Sequence, residues 1–354
     1  MSKQRLLDTM KGPVESDRYP VSLIGGGAWT LRQGGTNFRE MAITVEKNPS
    51  ILSDIIVRLN RGLGEGIVFL GAGYNNAIAA QIRGVEMVYT ADFSPYLPDF
   101  TKDQTEKFIR ECEKFDVRKI WDNSLLAAFP AVAQKVSDQL KESHVITPLT
   151  WGPFTLAGQL MGVETLMRKM VKDPGAAEAV LNLAVEAVWE FYRPFVEKGL
   201  AEIIYLPEPT ASGDMISPRI MEKFAAPIID KCLKPYRQKG LPSLVHICGN
   251  LTNDQLTIID GIDCLDSISI DSKVDRIEAR KRIVHKCIGG NVDTLRLERA
   301  GQEEIIGDLK GILYDMAGHR RFIVMPACDL APGTPYANVK TFFDFVRDAK
   351  ALIN

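Results

Sequence analysis

The residues with the clearest potential for chemistry are one histidine and two cysteines at the ends of two apolar runs. His246 and Cys248 lie in residues 243–250, and Cys328 comes just after residues 322–326. Both runs are short, lack a helical period and end in Gly, Pro or Asp, which is typical of a buried strand that leads into a loop. An imidazole and two thiols suit zinc, and three protein ligands with one open position are typical of a catalytic zinc site.

The same three residues have a simpler explanation as packing residues. Alternate residues of a strand point to one face, so His246 and Cys248 share a face wherever they lie. Free cysteines are commonly buried and unreactive. For the His-x-Cys pair alone, a core histidine with two buried cysteines is the expected explanation, and the pattern of the whole chain must decide.

That pattern is a repeated alternation of strand and helix. Residue patterns predict strands at 21–24, 66–70, 86–90, 144–150, 202–206, 243–247, 264–270, 286–290 and 322–326, and helices that include 3–11, 101–115, 128–142, 175–198 and 338–352. No break in composition and no linker interrupts them. We therefore predict an α/β fold, a single-domain (β/α)8 barrel over residues 1–354 with a short helical extension at 1–18; a doubly wound open sheet is the alternative.

Polar residues at the carboxyl ends of the predicted strands favour the barrel. A (β/α)8 barrel gathers these ends into one mouth, where its active sites lie. The residues at such positions are Glu208, His246, Cys248, Asp271, Asn291, Asp293 and Cys328. Separated in sequence, they are expected to converge in space, which favours a site over scattered packing residues.

Composition limits the classes of partner. The chain is 45% hydrophobic and 25% charged with a formal net charge of −2, so no basic face for nucleic acid is expected. Its longest apolar runs are strand-length, far short of the roughly 20 residues of a membrane span. The charged N-terminus lacks the apolar segment of a secretory signal, and six scattered cysteines suit a reducing compartment. We expect a cytoplasmic protein with neither nucleic-acid nor membrane partners.

Two glycine-rich segments, residues 25–35 and 71–73, come after predicted strands. Neither completes a Gly-x-Gly-x-x-Gly or Walker pattern in its required context, so nucleotide binding is disfavoured at both. They are better explained as tight strand-to-helix turns.

Six segments together resemble the uroporphyrinogen decarboxylase superfamily, and within it the zinc- and corrinoid-dependent methyltransferases typified by methylcobalamin:coenzyme M methyltransferases. The segments are residues 152–158, 208–218, 245–250, 268–271, 289–293 and 326–335. The last of them, with Cys328 in place, is the most specific. The resemblance covers nearly the whole chain.

The decarboxylases themselves are the alternative, because residues 29–35 are similar to their Trp-x-x-Arg-Gln-Ala-Gly signature. The second arginine of that signature is Thr36 here, and the family's tyrosine after Thr-Leu-Ala-Ser is Gln159. Residues 327–329 replace its Gly-His-Gly. A substrate with eight carboxylates needs cationic partners, and these are largely missing, so a uroporphyrinogen decarboxylase-type lyase is the second hypothesis.

The resemblance implies a zinc ion held by His246, Cys248 and Cys328, and a methyl transfer between the cobalt of a corrinoid and a small molecule. That molecule would be a thiol acceptor such as coenzyme M or a methoxylated or methylated donor. Glu208 is the implied catalytic carboxylate. It would fill the fourth zinc position without substrate or handle a proton; orienting His246 is the other open role.

The resemblance also supplies candidate substrate-binding residues. Arg32 and Gln33 would bind an anionic group such as a sulfonate or carboxylate, and Asp92 is a further candidate. Asp271 and Asn291 would shape the pocket floor. A structural role remains open for Arg32, Gln33, Asp271 and Asn291.

The partner is implied by a missing motif. The chain contains no Asp-x-His-x-x-Gly, the motif by which corrinoid proteins supply histidine to cobalt. Methylcobalamin or another corrinoid would therefore arrive on a separate small corrinoid-binding protein. A barrel that has kept the fold and become a binding protein is the third hypothesis, to be separated by whether added methylcobalamin changes its spectrum.

Overall fold

Seven parallel strands form the centre of the molecule in a computed structural model, which describes residues 3–25, 27–71, 74–90 and 94–349. The strands are β1 Ile67–Leu70, β2 Val145–Pro148, β3 Ile204–Pro207, β4 Ser243–Ile247, β5 Ser267–Ile270, β6 Cys287–Val292 and β7 Phe322–Pro326. β1 pairs with β2, and β3 to β7 pair in sequence order. The strands are buried on both faces, which explains their nearly continuous apolar sequences.

Contacts outside these ladders close the barrel. Between β2 and β3, the Glu202 N–H donates to the Ile146 carbonyl at 2.9 Å, and the Gly152 N–H donates to the Pro207 carbonyl at the same distance. Residues 21–24 fill the eighth position. Val21 forms a parallel bridge with Val324 of β7, while the Ser22 hydroxyl accepts the Ile67 N–H of β1 at 2.8 Å. The predicted (β/α)8 barrel is confirmed.

Helices surround the strands. They are α1 Lys3–Lys11, α2 Ala28–Gln33, α3 Phe38–Lys47, α4 Ser50–Leu63, α5 Ala77–Arg83, α6 Lys102–Glu111, α7 Ser124–Leu140, α8 Pro153–Met161, α9 Val163–Lys172, α10 Pro174–Glu197, α11 Pro218–Ile220, α12 Ala226–Gln238, α13 Asn253–Asp260, α14 Arg276–Arg282, α15 Thr294–Arg299, α16 Gln302–Asp315 and α17 Tyr336–Asp348. Within the described ranges, none of these helices has both the length and the apolarity needed to cross a membrane.

The barrel interior is a small apolar core of its own. It includes Phe69, Tyr205 and Met325, and the rings of Phe69 and Tyr205 meet edge to face at 4.6 Å. Helix α1 closes the amino-terminal end of the barrel, because its Leu6 and Met10 belong to this core. Polar side chains lie instead at the carboxyl-terminal end of the barrel.

Three predicted elements differ from the structure. Residues 21–24, predicted as a strand, form only the bridge at Val21. Residues 86–90 are not a strand, because only Val88 makes a bridge, antiparallel to Tyr96. The segment is alternately exposed and half-buried, so it lies outside the doubly buried barrel. The predicted helix 128–142 begins earlier, at Ser124, because the Asn123 side chain caps it by accepting the N–H groups of Leu125 and Leu126.

Candidate metal centre

The histidine and both cysteines meet at the carboxyl ends of the strands. His246 lies on β4, Cys248 directly succeeds that strand, and Cys328 lies just after β7. Their ligand atoms all lie within 4.8 Å of one another. The His246 Nε2 is 2.9 Å from the Cys248 Sγ, and the two Sγ atoms, 80 positions apart in sequence, are 3.0 Å apart. The predicted convergence is therefore present in the structure.

The three side chains differ in burial, and the two thiols also differ in pKa. His246 is 3% exposed, whereas both thiols are half-buried at the mouth. Contact with Cys248, 3.0 Å away, and with the nearby His246 lowers the pKa of the Cys328 thiol below its ordinary value, although burial opposes this. The same Cys328 contact, together with burial, raises the pKa of Cys248. The pocket thus stabilises a thiolate at the position where a soft metal ligand is needed.

Ser269 holds the other side of the imidazole. Its hydroxyl is 3.2 Å from the His246 Nδ1, and it lies opposite His246 in the parallel register of β4 and β5. To orient His246, Glu208 would have to hydrogen-bond to Nδ1. The Ser269 hydroxyl already occupies that position. Ser269 was not predicted from the sequence; the available signal was its place two residues before Asp271, on the same strand face.

Two carboxylates fix the loop that carries Cys248. The Gly249 N–H donates to Asp271 Oδ2 at 3.0 Å, and the Asn250 N–H donates to Asp214 Oδ2 at 3.1 Å. Gly249 has φ +92°, and a Cβ there would lie 2.6 Å from Asp214 Oδ2, so the turn requires glycine. Asp271, predicted to bind substrate, has this loop contact in the structure.

A third carboxylate fixes the loop that carries Cys328. Asp329 accepts the N–H of Gly27 at 3.2 Å and that of Leu330 at 3.1 Å. A Cβ on Gly27 would lie 2.3 Å from Asp329 Oδ2, and one on Gly25 would lie 2.9 Å from its Cγ. Gly25 and Gly27 therefore make room for an acid beside a candidate ligand, a purpose that their sequence does not reveal.

Glu208 caps a helix beside the site. It is fully buried after β3, and its carboxylate accepts the N–H groups of Phe154 at 3.0 Å and Thr155 at 2.7 Å, at the start of α8. Burial raises the pKa of Glu208 to about 7, although these donors pull it down. Among the described residues, the set of ligand atoms within 4.8 Å contains His246, Cys248 and Cys328 without Glu208.

The remaining predicted residues differ in their surroundings. The Asn291 amide donates to the carbonyls of Asp271 at 3.1 Å and Val274 at 3.0 Å, while its buried Oδ1 has no hydrogen-bond partner in the described chain. Arg32 is exposed on α2, and the half-buried Gln33 donates to the Thr334 carbonyl at 3.4 Å. Asp92 lies outside the described residues.

The other four cysteines are buried and contain free thiols, in agreement with a packing role. They are Cys112, Cys232, Cys264 and Cys287. Burial raises the pKa of each, so they are protonated at neutral pH. Only Cys248 and Cys328, among the described cysteines, combine partial exposure with a partner that can share a ligand.

A closed parallel barrel with an N/S/S donor set at its carboxyl-terminal mouth defines this molecule as a TIM-barrel protein with a candidate metal centre. The chain belongs to the uroporphyrinogen decarboxylase family, whose model, described as "Uroporphyrinogen decarboxylase (URO-D)", matches residues 1–349. The family assignment made from the six sequence segments is confirmed.

Some of the similar proteins are named methyltransferases and others are named decarboxylases. A methylcobamide:CoM methyltransferase MtbA from Methanosarcina acetivorans is 27% identical over 226 residues, which are 64% of this chain and 63% of that protein. A methylated-thiol–coenzyme M methyltransferase from Methanosarcina mazei is 30% identical over 56% of this chain and 51% of its own length. The matches thus span less than two thirds of these two relatives. A Prochlorococcus marinus uroporphyrinogen decarboxylase is 25% identical over 67% of the chain and 68% of that protein.

Solved structures agree on the fold. A structure described as a methyltransferase from Methanosarcina mazei superposes with a TM-score of 0.82 at 23% identity, covering 98% of both chains. A B12-independent methionine synthase from Shewanella superposes with a TM-score of 0.58 at 12% identity, covering 93% of this chain and 96% of its own. At these identities the likeness establishes the barrel.

Proposed function

We propose that this protein is a zinc-dependent methyltransferase that moves a methyl group between the cobalt of a corrinoid protein and a small molecule. The observation that carries the proposal is the cluster of His246, Cys248 and Cys328, whose ligand atoms lie within 4.8 Å of one another at the barrel mouth. The names of the methyltransferase relatives supply the reaction class, and coenzyme M, named for them, suggests a thiol substrate.

The residues present fit zinc. One imidazole nitrogen and two thiols are the donor types that zinc prefers, and three protein ligands leave a position for substrate. The lowered pKa of Cys328 agrees with this, because cysteine binds metal as the thiolate. A zinc ion held there would bind a substrate thiol in its thiolate form at neutral pH.

The chain's own residues have separate tasks in this proposal. The three ligands hold the reacting centre, and the Asp271 and Asp329 carboxylates keep the two cysteine-bearing loops in place. Glu208 is the proposed catalytic carboxylate, set rigidly beside β4 by the N-terminus of α8. Arg32 and Gln33 are the proposed contacts for the anionic end of the substrate, with Asn291 at the pocket floor and Asp92 as a further candidate.

The corrinoid would be presented by a separate small protein that docks over the barrel mouth. The half-buried thiols support this arrangement, because a methyl group carried on another protein must reach them from outside. A decarboxylase-type lyase remains the alternative. The pair of thiols at the mouth favours methyl transfer over it, since decarboxylation of a polycarboxylate calls for cations at this place.

The test combines metal content with a spectral assay. Protein purified without chelator should contain about one zinc per chain, and it should change the absorption spectrum of free methylcobalamin when coenzyme M is added. Cys328→Ala should lose both properties. Cys264→Ala is the matched control, because that thiol is buried outside the cluster and its removal should leave both unchanged.

Wild-type protein without metal would contradict the proposal. Metal-free turnover of uroporphyrinogen that depends on Arg32 and Asp92 would establish the lyase instead. Binding of methylcobalamin and thiol with no spectral change would support the binding-protein hypothesis.

A further inference from the structure

The imidazole of His246 is held from behind by a neighbouring strand. In the parallel pairing of β4 with β5, His246 lies opposite Ser269 and Leu244 lies opposite Ser267. The Ser269 hydroxyl is 3.2 Å from Nδ1, and Nε2 is 2.9 Å from the Cys248 sulfur. The two ring nitrogens are thus divided between one hydroxyl and the candidate metal centre.

Metal binding through Nε2 would require one tautomer of His246. A neutral imidazole carries one N–H and one lone pair, and it binds a metal through the nitrogen that lacks the proton. With the Ser269 hydroxyl oxygen as acceptor at Nδ1, the proton would lie on Nδ1 and the lone pair of Nε2 would face the two thiols. The partner of the non-ligating nitrogen normally sets both ring orientation and metal affinity in such sites.

We infer that Ser269 is a positioning residue for the metal centre, which presents Nε2 of His246 to the ion by accepting a hydrogen bond from Nδ1. The inference rests on the proposed zinc site and adds a residue to it. Ser269 is fully buried, so no water competes for the histidine proton. Ser269 lies opposite His246 whenever β4 and β5 are paired. The imidazole ring is therefore held before any metal binds.

The chain offers a matched control on the same strand. Ser267 is also fully buried and faces the same side, but it lies one layer deeper, opposite Leu244, and among the described residues its hydroxyl has no hydrogen-bond partner. Ser→Ala at either position removes one hydroxyl from the barrel interior. Only the change at Ser269 removes an acceptor from His246.

The experiment measures zinc affinity by competition with a chromogenic chelator for wild type, Ser269→Ala, Ser269→Thr and Ser267→Ala. We expect Ser269→Ala to weaken zinc binding roughly 10- to 100-fold, the range found for such supporting partners. Ser269→Thr, which keeps the hydroxyl, should restore most of the affinity, and Ser267→Ala should match wild type. Cobalt(II)-loaded protein gives a second readout, because altered ligand geometry at Ser269→Ala should shift its visible absorption bands.

The outcomes separate this inference from the proposed function. If wild type binds zinc and Ser269→Ala binds it within twofold of Ser267→Ala, with unchanged cobalt bands, Ser269 is a packing residue and the inference is wrong. If wild type binds no zinc, the proposed function fails and the inference fails with it.

Discussion

At the scale of single residues, acids that do not belong to the candidate ligand set hold the mouth together. Asp271 accepts the Gly249 N–H, Asp329 accepts the Gly27 N–H, and Glu208 accepts two N–H groups of α8. A hydrogen bond contributes about 0.5–1.5 kcal/mol, and about 1.5–3 kcal/mol where its partner is charged. The geometry of the centre therefore depends on backbone donors as well as on its three ligands.

The contact between Gly27 and Asp329 gives a steric prediction. In Gly27→Ala the new Cβ would lie 2.3 Å from Asp329 Oδ2, so the carboxylate must turn away and lose the Gly27 N–H. We expect the free energy of unfolding in urea to fall by about 1.5–3 kcal/mol. The control is Gly307→Ala, where a Cβ meets nothing within 4 Å on α16 and should stabilise the helix by about 0.5–1 kcal/mol. Equal stability of the two variants would contradict the claim that Asp329 requires glycine at position 27.

Arg32 gives a prediction about substrate charge. It is exposed, so an ion pair with a substrate sulfonate would be screened and worth about 0.2–1 kcal/mol. With coenzyme M, Arg32→Ala should raise KM about two- to fivefold. With the uncharged thiol 2-mercaptoethanol, its KM should equal that of wild type. Arg39→Ala, an exposed arginine on the next helix, should change neither value; an equal effect of both variants would remove Arg32 from the substrate site.

At the scale of elements, the two ends of the strands have different tasks. The carboxyl ends carry the candidate centre, while α1 packs against β6 and β7 and completes the apolar core at the amino ends. The Arg321 guanidinium donates to the Met10 carbonyl at 2.9 Å and ties the helix in place. Stability and chemistry are therefore separated along the barrel axis.

This separation predicts that α1 can be weakened without affecting the metal centre. Met10 is fully buried, so Met10→Ala should lower the free energy of unfolding by about 2–5 kcal/mol through lost burial and a residual cavity. Zinc affinity of the folded variant should equal that of wild type. Gln4→Ala on the exposed face of α1 is the control and should change stability by less than about 0.5 kcal/mol. A parallel loss of zinc affinity in Met10→Ala would show that the two ends are coupled.

The strands and the candidate ligands could both be predicted from the apolar runs in the sequence. Strands buried on both faces are continuous apolar runs, and a barrel gathers the residues after these runs at one mouth, so His246, Cys248 and Cys328 were predicted together. Residues 86–90 were mistaken for a strand, because Met87, Val88 and Tyr89 form a short apolar run, although only Val88 makes a bridge. Ser269, Asp214 and Asp329 were missed as supports, because their partners depend on strand register and loop course, which local sequence does not encode.

At the scale of the whole molecule, the half-buried His319 couples folding to pH. Burial, with smaller contributions from Arg280 and Arg321, lowers the pKa of His319 to about 4. In the unfolded chain this group titrates near pH 6.5, so the unfolded state binds more protons between these values. The stability of wild type should therefore fall relative to His319→Gln as the pH decreases from about 6.5 to 4. Urea titrations at several pH values measure this difference, and a constant difference would show that His319 titrates normally.

The central claim is that one ion is held by a nitrogen and two sulfurs brought together by barrel closure. X-ray absorption at the zinc edge of protein purified without chelator tests it most directly. We expect two sulfur ligands at about 2.3 Å and nitrogen or oxygen ligands at about 2.0–2.1 Å in wild type, and no stoichiometric zinc in Cys328→Ala. A zinc shell made only of nitrogen and oxygen, or one whose sulfur content is unchanged in Cys328→Ala, would contradict it.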